Sequence, residues 1–186
     1  MWKEVSQLLL TGQLTWNKGK ISLFKEHGGI LPMSGNIHVL KALEKKGLEN
    51  ILYQGSKETG INWNKKMLSQ YKANKPEQIF KWGEIAVTLA GWGTFKVHKY
   101  DFDKNEFIYR LEDSIYSQYY EKSDHPIDHL VRGLFAGSVC FLTKKNMEAV
   151  EVKCKAMGDP FCEFVIKERK AFNMKDKLVA KQLKKV

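Results

Sequence analysis

The sequence predicts an α+β fold with a largely antiparallel sheet. Stretches that alternate apolar and polar residues around turn-forming residues, as β-hairpins do, are separated by stretches with helical periodicity. They do not follow the steady strand-helix-strand order of a parallel α/β sheet. A chain of 186 residues, 43% of them hydrophobic, is long enough for one domain with a substantial core.

The first ninety residues are predicted to hold one hairpin among several helices. Alternating stretches at residues 14–16 and 21–23 flank a turn that contains glycine, which indicates a β-hairpin. A short helix before this hairpin and a third extended piece at residues 30–32 are also predicted. Three further helices are predicted from apolar residues at helical spacing, beginning near Ser34, Leu48 and Pro76.

A long hairpin follows in the middle of the chain. Its arms are predicted at residues 94–100 and 106–111, joined by a polar turn. Phe95, Tyr109 and Leu111 fall on alternating positions of these arms. Because successive side chains of a strand point to opposite faces, we expect one face of the hairpin to be buried.

A helix at residues 123–142 is predicted next. Gly133 and Gly137 are four residues apart, so they lie on one face and allow a close approach to a neighbouring element. The chain ends in a lysine-rich segment at residues 169–186, predicted to be a helix or tail that follows a single domain at residues 1–168.

A second hairpin is predicted at residues 149–167, between the helix at residues 123–142 and the lysine-rich segment, with its turn at residues 157–160. If residues whose numbers sum to 316 face each other, Val152 meets Phe164 and Cys154 meets Cys162. Directly opposed side chains lie about 4.5 to 5.5 Å apart at Cβ. The two thiols could therefore bind one metal ion, form a disulfide, or sit as two small core residues.

The formal charge of +10 comes almost wholly from lysine, since only three arginines occur. Proteins that read nucleic acid favour arginine for bidentate contacts, so we do not expect a nucleic-acid partner. The longest nearly apolar run, residues 133–142, is half the length of a membrane span, and the first residues do not resemble a secretory leader. A cytoplasmic protein without a membrane span is therefore predicted.

The second hairpin carries a specific motif. Residues 151–164 read EVKCKAMGDPFCEF, and the run GLFAG at residues 133–137 precedes them. Together they resemble the signature of the 4-vinyl reductase domain family, and a weaker resemblance covers residues 5–168. It implies the α+β ligand-binding fold shared with subunits of the vesicle-trafficking complex TRAPP.

The resemblance also implies a zinc site. In family members similar to phenol-sensing regulators, a Glu and two Cys bind zinc together with a Cys that precedes the glycine-rich helix. The matching residues here are Glu151, Cys154 and Cys162, with Asp128 in place of the fourth ligand. Strand parity places Glu151 and Cys154 on opposite faces, so shared ligation requires a bulge or twist between them.

A small-molecule site is the second implication. Phe95, Tyr109 and Leu111 are predicted to line an apolar cavity covered by the helix around Trp82, and a packed core without a cavity is the alternative on the alternation alone. The resemblance favours the cavity and an apolar or aromatic ligand.

These observations favour a sensor-like, small-molecule-binding domain. A basic nucleic-acid- or protein-binding module is the alternative, and so is a reductase acting on a vinyl group. No phosphate loop or nucleophile elbow is found, so an enzyme is the less favoured interpretation. We expect a homodimer that acts on a regulatory protein partner. Its interface is predicted on the stripe of Ile37, Leu40 and Leu43 or on the stripe of Leu48, Ile51 and Leu52.

Overall fold

The structure, a computed structural model, describes residues 2–28, 32–71 and 75–184. In these ranges, helices pack with two antiparallel sheets, so the predicted α+β fold is confirmed. The smaller sheet has the order β1 (Leu14–Asn17), β2 (Lys20–Leu23) and β3 (Glu26–Gly28). The larger has the order β4 (Thr94–Asp101), β5 (Glu106–Glu112), β7 (Cys162–Glu168) and β6 (Met147–Lys153). The central pair of the larger sheet is thus made by the two predicted hairpins, each of which contributes one strand.

The N-terminal part contains the smaller sheet and four helices. The predicted hairpin at residues 14–16 and 21–23 is confirmed by antiparallel pairing. The predicted extended piece at residues 30–32 falls largely outside the described residues, and a third strand lies just before it. The elements are α1 (Trp2–Leu10), β1 (Leu14–Asn17), β2 (Lys20–Leu23), β3 (Glu26–Gly28), α2 (Met33–Lys45), α3 (Glu49–Tyr71) and α4 (Pro76–Leu89).

The remaining elements form the larger sheet and the helices around it. They are β4 (Thr94–Asp101), β5 (Glu106–Glu112), α5 (Ile115–Tyr120), α6 (His129–Thr143), β6 (Met147–Lys153), β7 (Cys162–Glu168) and α7 (Lys177–Leu183). Helix α6 covers one face of the sheet through Phe135, whose ring stacks on Phe95 at 4.5 Å and meets Phe164 edge-on at 5.1 Å between centroids. Most of the buried core lies between this helix and the sheet.

The register of the second hairpin differs from the predicted one up to Glu151 and agrees with it at Lys153, which pairs with Glu163. Val150 pairs with Val165 and Glu151 with Phe164, one residue out of the predicted pairing, and the register shifts between Glu151 and Lys153. A one-residue shift exchanges the faces of a strand. Glu151 therefore lies on the core face with Phe164, whereas Val150 joins a separate cluster beneath α7.

The helix predicted at residues 123–142 begins later than expected. Helix α6 starts at His129, and residues 121–128 are not helical. A short helix that was not predicted, α5, precedes them. Ser114 caps α5, since its hydroxyl accepts a hydrogen bond from the Ser117 N–H. Pro126 lies in the segment that joins the two helices and is not the first residue of α6.

Close packing of α3 on α6 explains the glycine-rich motif. A Cβ atom at Gly133 would lie 2.2 Å from the Tyr53 carbonyl oxygen, and one at Gly137 would lie 2.0 Å from that of Lys57. From the opposite helix, a Cβ at Gly60 would lie 2.3 Å from the Leu134 carbonyl oxygen. The backbones of the two helices therefore touch, which only glycine permits at these positions.

The lysine-rich end of the chain packs on the domain through α7. Val179 and Leu183 are buried against Val150. Gln182 also accepts a hydrogen bond from the Glu151 N–H at 2.9 Å and donates one to the Glu151 carbonyl at 3.0 Å. In the three described ranges, no helix combines the length and the apolar character that crossing a bilayer requires.

Candidate metal centre and ligand cavity

Four side chains that can bind a metal converge at one end of the larger sheet. They are Asp128, Glu151, Cys154 and Cys162, and one potential ligand atom from each lies within 4.8 Å of the others. Each is at most 1% exposed. The structure thus brings together the four residues proposed from sequence as metal ligands.

The local backbone explains how these four residues meet. Asp128 directly precedes α6, Cys154 follows β6 at the start of a 3₁₀ turn, and Cys162 begins β7. Glu151 lies in β6 just before the register shift, which is the bulge that shared ligation with Cys154 requires. The shift lets two residues of opposite strand parity point into one site.

Hydrogen bonds from neighbouring groups orient the cluster. The Ser114 hydroxyl donates to Asp128 at 3.1 Å, and the Asp128 N–H donates to Glu151 Oε2 at 3.0 Å. The Lys155 N–H donates to the Cys162 sulfur at 3.4 Å. The other carboxylate oxygen of Glu151, Oε1, is buried and has no hydrogen-bond partner. A buried acceptor without a partner is costly, so this atom fits a metal ligand better than a packed core residue.

The electrostatics of the cluster also fit a cation. Burial raises the pKa of Asp128, and it raises the pKa of Glu151 well above its ordinary value, with the Asp128 charge adding to the effect. The hydrogen bond between the two thiols holds the pKa of Cys154 down at about 6 and raises that of Cys162. Two thiols and two carboxyl groups are donors of the types that zinc takes. A divalent ion would stabilise the ionised forms that burial disfavours.

A cavity of about 240 Å³ lies on the core side of the larger sheet, between that sheet and the helices α3, α4 and α6. Phe95 and Tyr109 line it, as the sequence predicted for these positions. Leu111, two residues further along β5, is fully buried and pairs with Cys162. It does not line the cavity, which differs from the prediction. The predicted helix, α4, covers the cavity. Trp82 does not line it, because its side chain packs on Phe24, with 5.1 Å between the ring centroids.

Several cavity residues were not found from sequence. Helix α4 contributes Gly83, Ala86 and Val87, and α6 contributes Leu134, Phe135 and Ser138. The glycine-rich run of α6 predicts close helix packing, and it also places Phe135 between two glycines and against the sheet. A bulky residue within a run of small residues was the one sequence feature that could have indicated Phe135 as a cavity residue.

One residue that lines the cavity, Tyr109, carries an unusual polar group. The Tyr109 hydroxyl is buried and has no hydrogen-bond partner. Burial raises the pKa of Tyr109, so the hydroxyl stays protonated and can donate. The side-chain amide of Asn64, which also lines the cavity, donates to the Gly60 carbonyl at 2.8 Å. An apolar space lined by a residue with an unused donor suits an apolar ligand that carries an acceptor.

Comparison with known proteins relates this site to a family. Residues 107–168 match the family model of the 4-vinyl reductase domain. The resemblance noted from sequence is thereby confirmed. The match runs from β5 to the end of β7 and includes all four residues of the candidate metal centre. The part of the chain that carries the signature of the 4-vinyl reductase domain is thus also the part that carries the buried donors.

Two uncharacterized proteins of Methanocaldococcus jannaschii are similar in sequence. One is 30% identical over 121 residues, which is 65% of this chain and 65% of that protein. The other is 43% identical over 49 residues, which is 25% of this chain and 22% of that protein. The chain therefore spans less than two thirds of the length of either relative.

Solved structures with a similar fold extend the likeness beyond the matched region. The phenol-responsive sensory domain of the transcription activator PoxR, solved with phenol, has a TM-score of 0.77 and 15% identity, covering 98% of this chain and 96% of that one. A vinyl-4-reductase family protein of M. jannaschii has a TM-score of 0.52 and 24% identity, covering 76% and 83%. A trafficking protein particle complex subunit 3 of Naegleria fowleri, covalently bound to palmitic acid, has a TM-score of 0.51 and 12% identity, covering 73% and 92%. At these identities the likeness establishes a shared fold.

Proposed function

We propose that the chain is a sensor-like domain that binds a small apolar or aromatic molecule in the cavity between the larger sheet and α4. The observation that carries this proposal is an apolar cavity of about 240 Å³ with one buried, unpartnered phenolic hydroxyl, that of Tyr109. The fold of the PoxR sensory domain, solved with phenol, supports it, and so does that of a trafficking subunit with bound palmitic acid. A small aromatic ring with one acceptor would occupy such a space.

Calorimetric titration with phenol and with benzene tests the proposal. We expect phenol to bind more tightly than benzene, because only phenol offers an oxygen to the Tyr109 hydroxyl. Tyr109→Phe should reduce this preference about tenfold, since an unpaired buried hydroxyl costs about 1 to 3 kcal/mol. Gly83→Leu should abolish binding of both, because Gly83 lines the cavity and a Cβ there meets only the Phe95 ring, at 3.7 Å. Equal and weak binding by native protein and Gly83→Leu would refute a ligand site in this cavity.

For the metal centre, we propose one structural zinc ion held by Asp128, Glu151, Cys154 and Cys162. The buried donors and the orphaned Glu151 oxygen support it. Elemental analysis of protein prepared without chelator should find about one zinc per chain. Less than about a fifth of an equivalent, with both thiols open to alkylation, would leave the cluster as a metal-free core.

Self-association is the third part of the proposal. Ile37 and Leu40 are buried inside the chain, so their stripe is not available as an interface. Leu48 and Ile51 are 41% and 61% exposed at the start of α3. We therefore assign the expected homodimer interface to this second stripe, with a regulatory protein as the cytoplasmic target of the dimer. Sedimentation should show a dimer for native protein and a monomer for Ile51→Glu; a native monomer at micromolar concentration would remove the assignment.

A further inference from the structure

A second cleft, separate from the proposed ligand cavity, lies where α2, α3, α6 and α7 meet. Its volume is about 370 Å³, and it shares no lining residue with the cavity described above. Most of its lining is polar or charged. Four permanently charged cations contribute, namely Lys41, Lys45, Arg132 and Lys181, against the two carboxylates of Glu44 and Glu49. The lining therefore keeps an excess of positive charge.

Arg132 is the unusual member of this lining. It is only 2% exposed, and its guanidinium lies 4.0 Å above the centre of the Tyr53 ring. Its Nη1 donates to the carbonyl oxygens of Ala149 at 3.0 Å and Gln182 at 3.3 Å. Its Nε–H is buried and has no hydrogen-bond partner. A guanidinium stays charged even when buried, so this donor is ready for an acceptor that would bring negative charge.

One of the two acids that line the cleft, Glu44, already has hydrogen-bond partners. Glu44 accepts a hydrogen bond from the Tyr120 hydroxyl at 2.7 Å, and its other oxygen lies 3.0 Å from His129 Nε2 and 3.3 Å from His125 Nε2. Three polar partners thus hold this carboxylate, and its charge is spread over them. Glu44 does not take up the free donor of Arg132.

Helix geometry adds to the positive potential. Helix α3, 23 residues long, begins at the cleft with Glu49 and Asn50, and α6, 15 residues long, begins there with His129. The N-terminus of a helix carries partial positive charge and unsatisfied N–H groups, and two of them meet at this cleft. They reinforce the lysines and Arg132 and do not make the site alone.

We propose that this cleft binds a small oxyanion, either a carboxylate or a phosphate group. Arg132 at the floor would donate through Nε–H, and the exposed Lys41 and Lys181 at the rim would close over the anion. A planar fork of donors with flanking ammonium groups is the arrangement that recognises such groups. The inference does not depend on a ligand in the apolar cavity, because the two sites have no residue in common.

Titration of the full chain with inorganic phosphate, and separately with acetate, tests this inference. We expect saturable binding of at least one of them to a single site. The double variant Lys41→Gln/Lys181→Gln should weaken it at least tenfold. The control is Lys104→Gln/Lys170→Gln, which removes the same charge from side chains that are 77% and 81% exposed outside the cleft. This control should bind like the native chain.

Arg132→Met provides a second measurement. It should lose saturable binding even though both rim lysines remain; if this variant does not fold, the two lysine pairs decide the question. Absence of saturable binding of both anions to the native chain would overturn the inference. Equal weakening by the two lysine pairs would also overturn it, since that result would indicate only general attraction to a basic protein.

Discussion

The three cysteines of the chain lie in different surroundings. Cys154 and Cys162 are fully buried beside two carboxyl groups, whereas Cys140 is half-buried in α6. The Cys140 sulfur donates to the Met147 carbonyl oxygen at 3.4 Å and accepts from the Met147 N–H at 3.2 Å. These contacts satisfy Cys140 within the protein. They leave the other two as the candidate metal ligands and make Cys140 the matched control.

Cys162→Ser should therefore release the metal and destabilise the protein. A structural zinc ion contributes directly to folding free energy, so the expected loss is several kcal/mol. Cys140→Ser should keep the metal and cost about 1 kcal/mol or less, because a hydroxyl can replace both contacts of the thiol. Metal content and thermal unfolding of the two variants check this. Equal metal content and equal melting temperatures would contradict the assignment of Cys162 as a ligand.

Glu44 should contribute stability that depends on pH. Burial raises its pKa, but the hydrogen bonds from His125, His129 and Tyr120 outweigh burial and bring the pKa down from 4.5 to about 2. A carboxyl group with a depressed folded-state pKa stabilises the protein above its unfolded pKa, and this stability is lost as the pH falls towards the folded value. Glu44→Gln should thus be less stable than native protein at neutral pH, with the difference vanishing between pH 4.5 and about 2.

Urea unfolding at a series of pH values measures this difference. The exposed Glu58→Gln is the control and should follow the native protein throughout. A Glu44→Gln deficit that stays constant down to the acid limit would mean that its origin is packing and not ionisation.

At the scale of elements, the contact between α3 and α6 sets the position of both sites. It has no space for side chains at Gly133 and Gly137, because carbonyl oxygens of α3 lie where Cβ atoms would be. Helix α6 then carries Asp128 at its start and Phe135 at the cavity. A shift of this helix would therefore move a candidate metal ligand and a cavity wall together.

Gly137→Ala should push the two helices apart. The added methyl group would lie 2.0 Å from the Lys57 carbonyl oxygen, and backbone cannot yield as a flexible side chain can. We expect a loss of at least about 2 kcal/mol, although alanine favours a helix by about 1 kcal/mol over glycine. Gly55→Ala in α3 is the control, since nothing lies within 4 Å of the added atom, and it should be neutral or stabilising. Chemical denaturation compares them, and equal stability of the two variants would disprove close contact.

Patterns in the chain predicted the elements and the four residues that converge as candidate metal ligands better than the fine geometry. Phe95 and Tyr109 follow from alternation in a hairpin, because a strand has only two faces. A helix has a continuous surface, so an apolar stripe does not say which neighbour each residue meets. Trp82 lies beside Gly83 in that stripe but contacts Phe24, in the turn between β2 and β3, and periodicity does not encode such a contact between distant segments.

The bulge in β6 illustrates the same limit. Parity indicated that Glu151 and Cys154 could share a site only if the strand were irregular between them, and the register shift lies there. The sequence did not reveal the bulge itself, since Val150 and Val152 are equally suited to either face. The observed register follows from tertiary contacts, with Val150 buried under α7 and Glu151 bonded to Gln182.

At the scale of the whole molecule, one sheet and one helix connect the metal centre to the ligand cavity. Tyr109 lines the cavity and Leu111 pairs with Cys162 two residues further along the same strand. On the other side, α6 runs from Asp128 to Phe135. Binding of a ligand against Phe135 and Tyr109 would therefore act on elements that a bound metal would hold at their ends. This arrangement suits a domain that reports occupancy through a small shift of α6.

The central claim, a small aromatic ligand in the apolar cavity, is tested most directly by NMR titration of methyl-labelled protein with phenol. Val87 and Leu134 line the cavity, whereas Val179 and Leu183 are buried beneath α7 and serve as the internal control. We predict saturable shifts for the methyl groups of Val87 and Leu134, with those of Val179 and Leu183 unchanged. Shifts confined to other parts of the protein, or none at millimolar phenol, would contradict the account.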